Sequence, residues 1–428
     1  MLSNVLKTTW PLFLGLAFLM LGNGLQGTLV SWRANFEGFS SSTTGWIMTA
    51  YYLGFLAGSL YTGKIIKEVG HIRVFAALAS LASTAVLVQI LLIDPAAWIV
   101  MRLVTGFSFA GVYVVVESWL NARSDNETRG RILSIYMIVS YGGLAGGQLL
   151  FKVADPTSVS LFLLSSILLS VALIPLLISK VSAPVIVVSE SMSVLKLFKT
   201  ASAGVLSLTL TSMVAGVVFG MGAVYAANSG MSISQTALFM GVFIAMGALA
   251  QWPVGWVSDN FDRRLVIVIL CVISTVLIAV VYVIDPQSNL FVIIFGLFGA
   301  AALSVYSVSV AHINDRLKPE QMTSASSTMV LFSGIGAAAG PITVGYLLHA
   351  FGNVWFLIYL GGIHLIMGLV VLYYMFQRDA VPDEQQVDHQ FMTSRMTPVA
   401  MEAVALDAEE SYLANEEEKE EGSGDKDY

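Results

Sequence analysis

The groups in this 428-residue chain best able to do chemistry are polar side chains stranded inside long apolar runs. Arg102 lies well inside the run 96–120. A guanidinium at that depth is a functional candidate: it can bind an anion, adjust the pKa of a proton-carrying acid, or steady the bundle by bonding helix carbonyls. Glu117 follows on the same run, about 22 Å along a helix axis at 1.5 Å per residue, so it cannot touch Arg102 directly. Its expected partners are Arg123, Arg129 or Arg131, in a charged cluster that opens and closes as a gate, with a protonation site and a plain structural pair as the alternatives. Asn23 and Gln26, in the first run, are neutral polar groups that are costly in hydrocarbon and should face a cavity or another helix. Tyr113 and Tyr306 fall near the middle of their runs, where paired aromatics sandwich a ligand or pack a core. Tyr225 and Gln251 offer further hydrogen bonds to a solute.

The sharpest local pattern is Gly255-Trp-Val-Ser-Asp259-Asn-Phe-Asp262-Arg263-Arg264. The glycine allows close helix approach, the acid suits a neighbouring helix N-terminus, and the arginines suit acids or lipid phosphates. Together they read as a breakable latch, with Asp315 and Arg316 as a second charged pair after a later run. No metal-ligand spacing, nucleophile–base pair or phosphate-binding glycine loop is visible, so neither an enzyme nor a bound cofactor is expected. One cysteine, Cys271, excludes an intramolecular disulfide.

The elements that must position these groups are membrane helices. Hydrophobic residues make up 56% and charged residues 11% of the chain, against about 25% charged in soluble domains. Apolar runs of about 20 residues cross a bilayer as helices. They fall at 10–31, 45–66, 72–93, 96–120, 131–153, 158–180, 200–227, 233–257, 264–284, 288–313, 322–349 and 353–376. This is an all-α membrane protein of twelve spans. An even number places both termini on one side. Basic residues cluster at one set of ends, from Lys64, Lys67 and Arg73 to Arg316 and Arg378, while the opposite loops carry Arg33 and Lys152. The bias places the termini in the cytoplasm. The opposite turns carry Asp94-Pro95, Asp155-Pro156 and Asp285-Pro286.

The chain also repeats. At an offset of 193 residues, Gly106 matches Gly299, Tyr113 matches Tyr306, Gly143 and Gly147 match Gly336 and Gly340, and Asn121-Ala-Arg123 matches Asn314-Asp-Arg316. The expected organisation is a six-helix bundle over 1–180, a cytoplasmic linker over 181–199, a second, pseudo-symmetric six-helix bundle over 200–376, and a tail over 377–428. The tail, net −11, is expected to be largely disordered, with scope for a short amphipathic helix around 398–414. Repeats of this kind place a binding site at mid-membrane between halves that rock in alternating access.

Gly-x-x-x-Asp-x-x-x-Arg-Arg over 255–264, with twelve spans in two halves, resembles the signature loop of the major facilitator superfamily. The first-half copy, Gly63 to Arg73, has Lys67 where that signature has an acid. Arg102-Leu-Val-Thr-Gly106 resembles the superfamily's Arg-x-x-x-Gly motif. Glu117-Ser-Trp-Leu-Asn121, Arg129-Gly-Arg131, Tyr141 to Gln148, and Ser309 to Arg316 are similar to the YcaD-like branch. The resemblance implies the superfamily fold, with spans one, four, seven and ten lining the cavity, and transport without naming a substrate. Antiporters of the superfamily often carry Gly-Pro in span five; here the position is Gly147-Gln148. The expected function is secondary active transport of a small organic solute, anionic if Arg102 binds it, coupled to protons or another ion. Efflux of amphipathic compounds is the alternative, and a non-transporting sensor or scaffold acting through the tail is the reading from another class. The expected partners are the solute, a coupling ion and membrane lipid, with no nucleic acid, and the protein is expected to be a monomer in the plasma or inner membrane.

Overall fold

A computed structural model describes residues 2–124, 128–178, 191–382, 386–387, 389–393 and 395–409. The first part of the linker and the last part of the tail lie outside the described residues. The first half is built from α1 (Leu2–Phe36), α2 (Ser41–Val69), α3 (His71–Leu91), α4 (Pro95–Ala122), α5 (Arg129–Leu150), α6 (Ser160–Val171) and α7 (Leu173–Leu177). The second follows the short α8 (Val194–Thr200), with α9 (Ser202–Asn228), α10 (Ile233–Asn260), α11 (Arg263–Tyr282), α12 (Asn289–Asn314), α13 (Pro319–Phe351) and α14 (Trp355–Gln377). Helices α6 and α7 together make one span, Ser160–Leu177. Among the described residues, eleven spans are long and apolar enough to cross a membrane on composition alone. The twelfth, α2, is 29 residues long but more polar, opening on Ser41-Ser-Thr-Thr and ending with Lys64 and Lys67.

One of the Asp-Pro turns starts a helix, and the other two are closed by their own aspartates. Asp94 accepts from the Ala97 N–H at 2.9 Å with Pro95 in the first helical turn of α4, where its missing N–H costs nothing. Asp155 and Asp285 accept from the N–H groups of Thr157 and Gln287 two residues on.

The repeated glycines sit where helices cross. A Cβ on Gly106 would collide with the Tyr51 carbonyl, and one on its counterpart Gly299 with the Phe243 carbonyl. Gly147 and Gly340 meet the backbones of α1 and α9 in the same way. Small residues at these points bring α2 onto α4 and α10 onto α12 at backbone contact.

The halves meet at one end of the bundle. The Trp46 indole N–H donates to the Tyr346 hydroxyl at 3.2 Å, and the Thr49 hydroxyl to the Ala338 carbonyl at 2.8 Å. Gly45 and Gly345 let α2 and α13 pack backbone to backbone there. At the other end, which bears Arg123, Arg129, Arg263, Arg264 and Arg316, a different element lies between the halves. Residues 386–387, 389–393 and 395–409 of the tail run into the gap, the last twelve as a helix over 398–409. Met392, Met396, Ala400, Met401, Val404 and Ala405 are buried in the common core. For these residues the expectation of disorder does not hold: the segment is apolar enough to fill the gap, and the helix falls within the stretch 398–414.

Candidate functional site

Four of the buried polar side chains converge in the first half. The Asn23 amide on α1 donates to the Tyr113 hydroxyl on α4 at 2.6 Å, and the Tyr51 hydroxyl on α2 donates to Asn23 Oδ1 at 3.3 Å. The Arg102 guanidinium lies 4.3 Å from the centre of the Tyr51 ring, a cation–π contact. Arg102 is 2% exposed, yet its Nε and Nη1 have no hydrogen-bond partner among the described residues. A buried donor left unsatisfied costs about 1–3 kcal/mol, and more when charged, so an acceptor brought to these two nitrogens would be favoured. Tyr51 and its neighbour Tyr52 were not singled out by the sequence; a Tyr-Tyr pair in an apolar run was the available signal.

The other candidates are dispersed. Gln26 turns to Gln89 on α3, its Nε2 at 3.5 Å from Gln89 Oε1. Gln148, at the position where antiporters place proline, donates to the Gly24 carbonyl at 2.8 Å and accepts from Thr28, joining α5 to α1. In the second half, Gln251 accepts from Ser307 at 2.7 Å and lines the gap near the tail. The buried Tyr306 hydroxyl lies beside the Ser333 hydroxyl of α13. Tyr113 packs against Phe55 and Phe109 of its own half, at 5.8 and 6.1 Å between ring centres. Tyr225 is stacked between Phe356 and Phe291, at 4.6 and 6.1 Å, in an aromatic cluster of the second half. The structure does not bring it to Arg102.

The charged end is a network centred on Arg263, which is 1% exposed. It pairs with Asp315 at 2.9 Å and Asp259 at 3.2 Å. Arg264 pairs with Asp262 at 2.8 Å and donates to the Arg378 carbonyl at 2.6 Å, and Arg316 donates to the Asp379 carbonyl at 2.5 Å. Burial pushes the Asp315 carboxyl up to about 6, against the opposing pull of Arg263. At Asp262 burial also pushes upward, but the bonds from Arg264 win and hold it below the usual carboxylate range.

The tail completes this network. The Val387 N–H donates to Asp315 at 3.0 Å and the His389 N–H to Asp259 at 2.9 Å, while Arg263 donates to the Val387 carbonyl. Gly255 is needed for a reason other than close helix packing: a Cβ there would strike the His389 ring. Glu117 also departs from expectation. Its hydrogen bonds come from the Tyr136 hydroxyl at 2.5 Å and from the Thr397 hydroxyl rather than from an arginine. Thr397 precedes Pro398 at the start of the tail helix, and the backbone N–H groups of Thr397 and Ala400 also point to Glu117. A carboxylate at a helix N-terminus meets free N–H groups and the positive end of the dipole. Arg129 lines the same small space as Glu117, and Arg123 closes the C-terminus of α4. Arg395 reaches deepest: its guanidinium lies 4.5 Å from the centre of the Phe219 ring and 5.9 Å from that of Tyr51. Tyr51, Tyr52, Phe55, Ser333, Arg395 and Met396 surround a small space of about 20 Å³ between the halves.

Two pseudo-repeated helical halves, closed at one end and separated at the other around a polar cluster, define a multi-pass membrane protein of the transporter type. The profile of the Major Facilitator Superfamily matches residues 12–223 and 201–400, and the chain belongs to that family. An MFS-type transporter, YcaD, described as uncharacterized, from Escherichia coli O6:K15:H31 is 28% identical over 375 residues, covering 87% of this chain and 97% of the relative. The protein of the same description from Shigella dysenteriae serotype 1 matches at the same identity and coverage. Among solved structures, the nucleoside transporter NupG superposes with a TM-score of 0.73 at 14% identity, over 87% of this chain and 100% of that one. A bacterial homolog of the human lysosomal transporter Spinster, inward-facing and unoccupied, superposes with a TM-score of 0.68 at 13% identity, over 96% and 98%. At these identities the two structures speak for the fold alone.

Proposed function

We propose that this protein is a secondary active transporter that moves a small anionic organic solute across the membrane by alternating access, coupled to protons or another ion. The observation that carries this reading is Arg102: buried, cationic, with Nε and Nη1 unpartnered beside the Asn23–Tyr113–Tyr51 cluster. A solute carboxylate or phosphate would supply the missing acceptors in a charge-assisted bond. The two bundles, 1–180 and 200–376, rock about this cluster, both termini are cytoplasmic, and the contacts around Arg263, Asp259 and Asp315 work as the cytoplasmic latch. Contact between the halves at the Trp46–Tyr346 end supports an inward-facing state.

Proteoliposomes test this directly. Across a panel of metabolite anions, at least one is expected to show flux that depends on an ion gradient and disappears in Arg102→Ala. Flux retained in that variant removes Arg102 from the site, and no flux for any solute favours a sensor or scaffold. Efflux of amphipathic compounds is the second reading, favoured by the aromatic lining at Tyr51, Tyr52, Phe55 and Phe219, which already accommodates the Arg395 cation. The direction of flux in oriented vesicles separates the two.

A further inference from the structure

The gap at the basic end contains a segment of the protein itself, and its contacts have three features that belong together. They engage both halves: Phe391 stacks on Tyr141 of α5 at 5.3 Å, the Tyr141 hydroxyl donates to the Met392 carbonyl at 3.1 Å, and Thr397 bonds Glu117 of α4. Val387 and His389 are meanwhile bonded to Asp315 and Asp259 of the second half. A rocking motion that closes this end cannot proceed with the segment in place. The contacts also reach the polar cluster, because Arg395 shares the Tyr51 ring with Arg102. Finally, the filling is apolar and adaptable: Met392, Met396 and Met401 are each at most 2% exposed, and methionine fits irregular gaps.

We propose that residues 386–387, 389–393 and 395–409 are a displaceable plug, which occupies the cavity in place of solute and leaves before solute enters from the basic end. The proposal rests on the reading of the cavity as the solute path. Displaceability follows from the charges at the tip. Arg102 and Arg395 are like charges beside one tyrosine ring; Arg395 bonds Tyr52, but Nε and Nη1 of both have no hydrogen-bond partner among the described residues. Uncompensated donors and like-charge repulsion in a poorly solvated space weaken docking that the apolar contacts favour. The plug is held most firmly at its outer contacts, on Asp259, Asp315 and Glu117, and least firmly at its tip.

The test uses purified protein in detergent, in a Cys271→Ser background, with Ser333→Cys as reporter. Ser333 lines the space beside Arg395 and Met396. A bulky maleimide should modify this cysteine slowly in the full chain. Deletion of residues 380–428 should accelerate the reaction at least about tenfold. Ala400→Glu in the full chain, which sets a second carboxylate against Glu117, should do the same, since like charges juxtaposed in a buried contact cost several kcal/mol. Thermal unfolding establishes that each variant is folded. Equal modification rates in all three proteins overturn the proposal. The assay involves no solute, so a failure of the transport reading and a failure of the plug are seen separately.

Discussion

At the 193-residue offset relating the two halves, Arg102 corresponds to Phe295 and Glu117 to Val310. Both replacements are buried, and Phe295 sits among Phe239, Phe243, Phe291 and Phe298 with ring centres 4.4–6.1 Å away. The exchange runs the other way at the basic end. Asp315 corresponds to Ala122, and Asp259, at the 192-residue offset of the loop glycines, to Lys67. One scaffold thus carries a polar cluster with an unpaired cation in its first half, and an aromatic core with an ionic clasp in its second. The glycine crossings at Gly106 and Gly299 are common to both. What the halves share is the backbone approach of their helices; the buried polar groups and those bonded to the tail have diverged.

This contrast can be broken from either side. The largest effect is expected from Arg102→Ala, which should abolish solute flux while leaving the protein folded, as read by proteoliposome uptake and circular dichroism. Phe295→Ala at the corresponding position should do the opposite. It opens a cavity in the aromatic cluster and destabilises by about 3–5 kcal/mol, seen as a lower Tm, while flux per folded molecule is retained.

A smaller effect should come from pH. His389, buried against Gly255 and Arg263, is held at about 3 by burial and by the Arg263 charge, and once the tail leaves, its imidazole should return toward the ordinary 6.5. The undocked form then takes up a proton more readily than the docked one. Docking is therefore favoured above pH 6.5 and loses that contribution as pH falls below it. Asp315, pushed up to about 6 by burial, titrates in the opposite sense, and the bond from the Val387 N–H limits its share; Arg263, Arg316 and Asp259 are the charged groups around the two. From pH 7 to pH 5, modification of the Ser333→Cys reporter, normalised to the tail-deleted protein, should quicken by up to about tenfold. The smallest effect belongs to Asp259→Asn. This carboxylate is one-third exposed and its amide replacement still accepts from the His389 N–H, so the bias toward the open basic end should be only about two- to fivefold by cysteine accessibility.

Much of this arrangement was legible in the residues. The apolar runs and the repeated glycines describe the spans and their crossings because both depend on local composition. Arg102, Asn23 and Tyr113 were legible as buried polar groups because a polar group in hydrocarbon must find a partner, and each was placed in a run without one. The partner of Glu117 was not legible. It lies 280 residues away in Thr397, and positive-inside charge had drawn attention to the nearer arginines. The tail was obscured by averaging. Eight of its acids fall in residues 410–428, whereas 391–406 is apolar apart from Arg395, Glu402 and a few hydroxyls. A lone base within that stretch was the signal of an inserted segment.

A plug carried on the same chain differs from a soluble inhibitor in one quantitative respect. Fewer than ten residues separate the end of α14 at Gln377 from the first docked residue, Gln386. A short tether of that kind presents its cargo at an effective concentration on the order of millimolar, whatever the abundance of the protein in the membrane. Solute binding from that side is then a competition against a fixed local concentration. Lengthening the tether between 378 and 386 with glycine and serine should lower that concentration and tighten the apparent solute affinity, without altering any residue that touches the cavity.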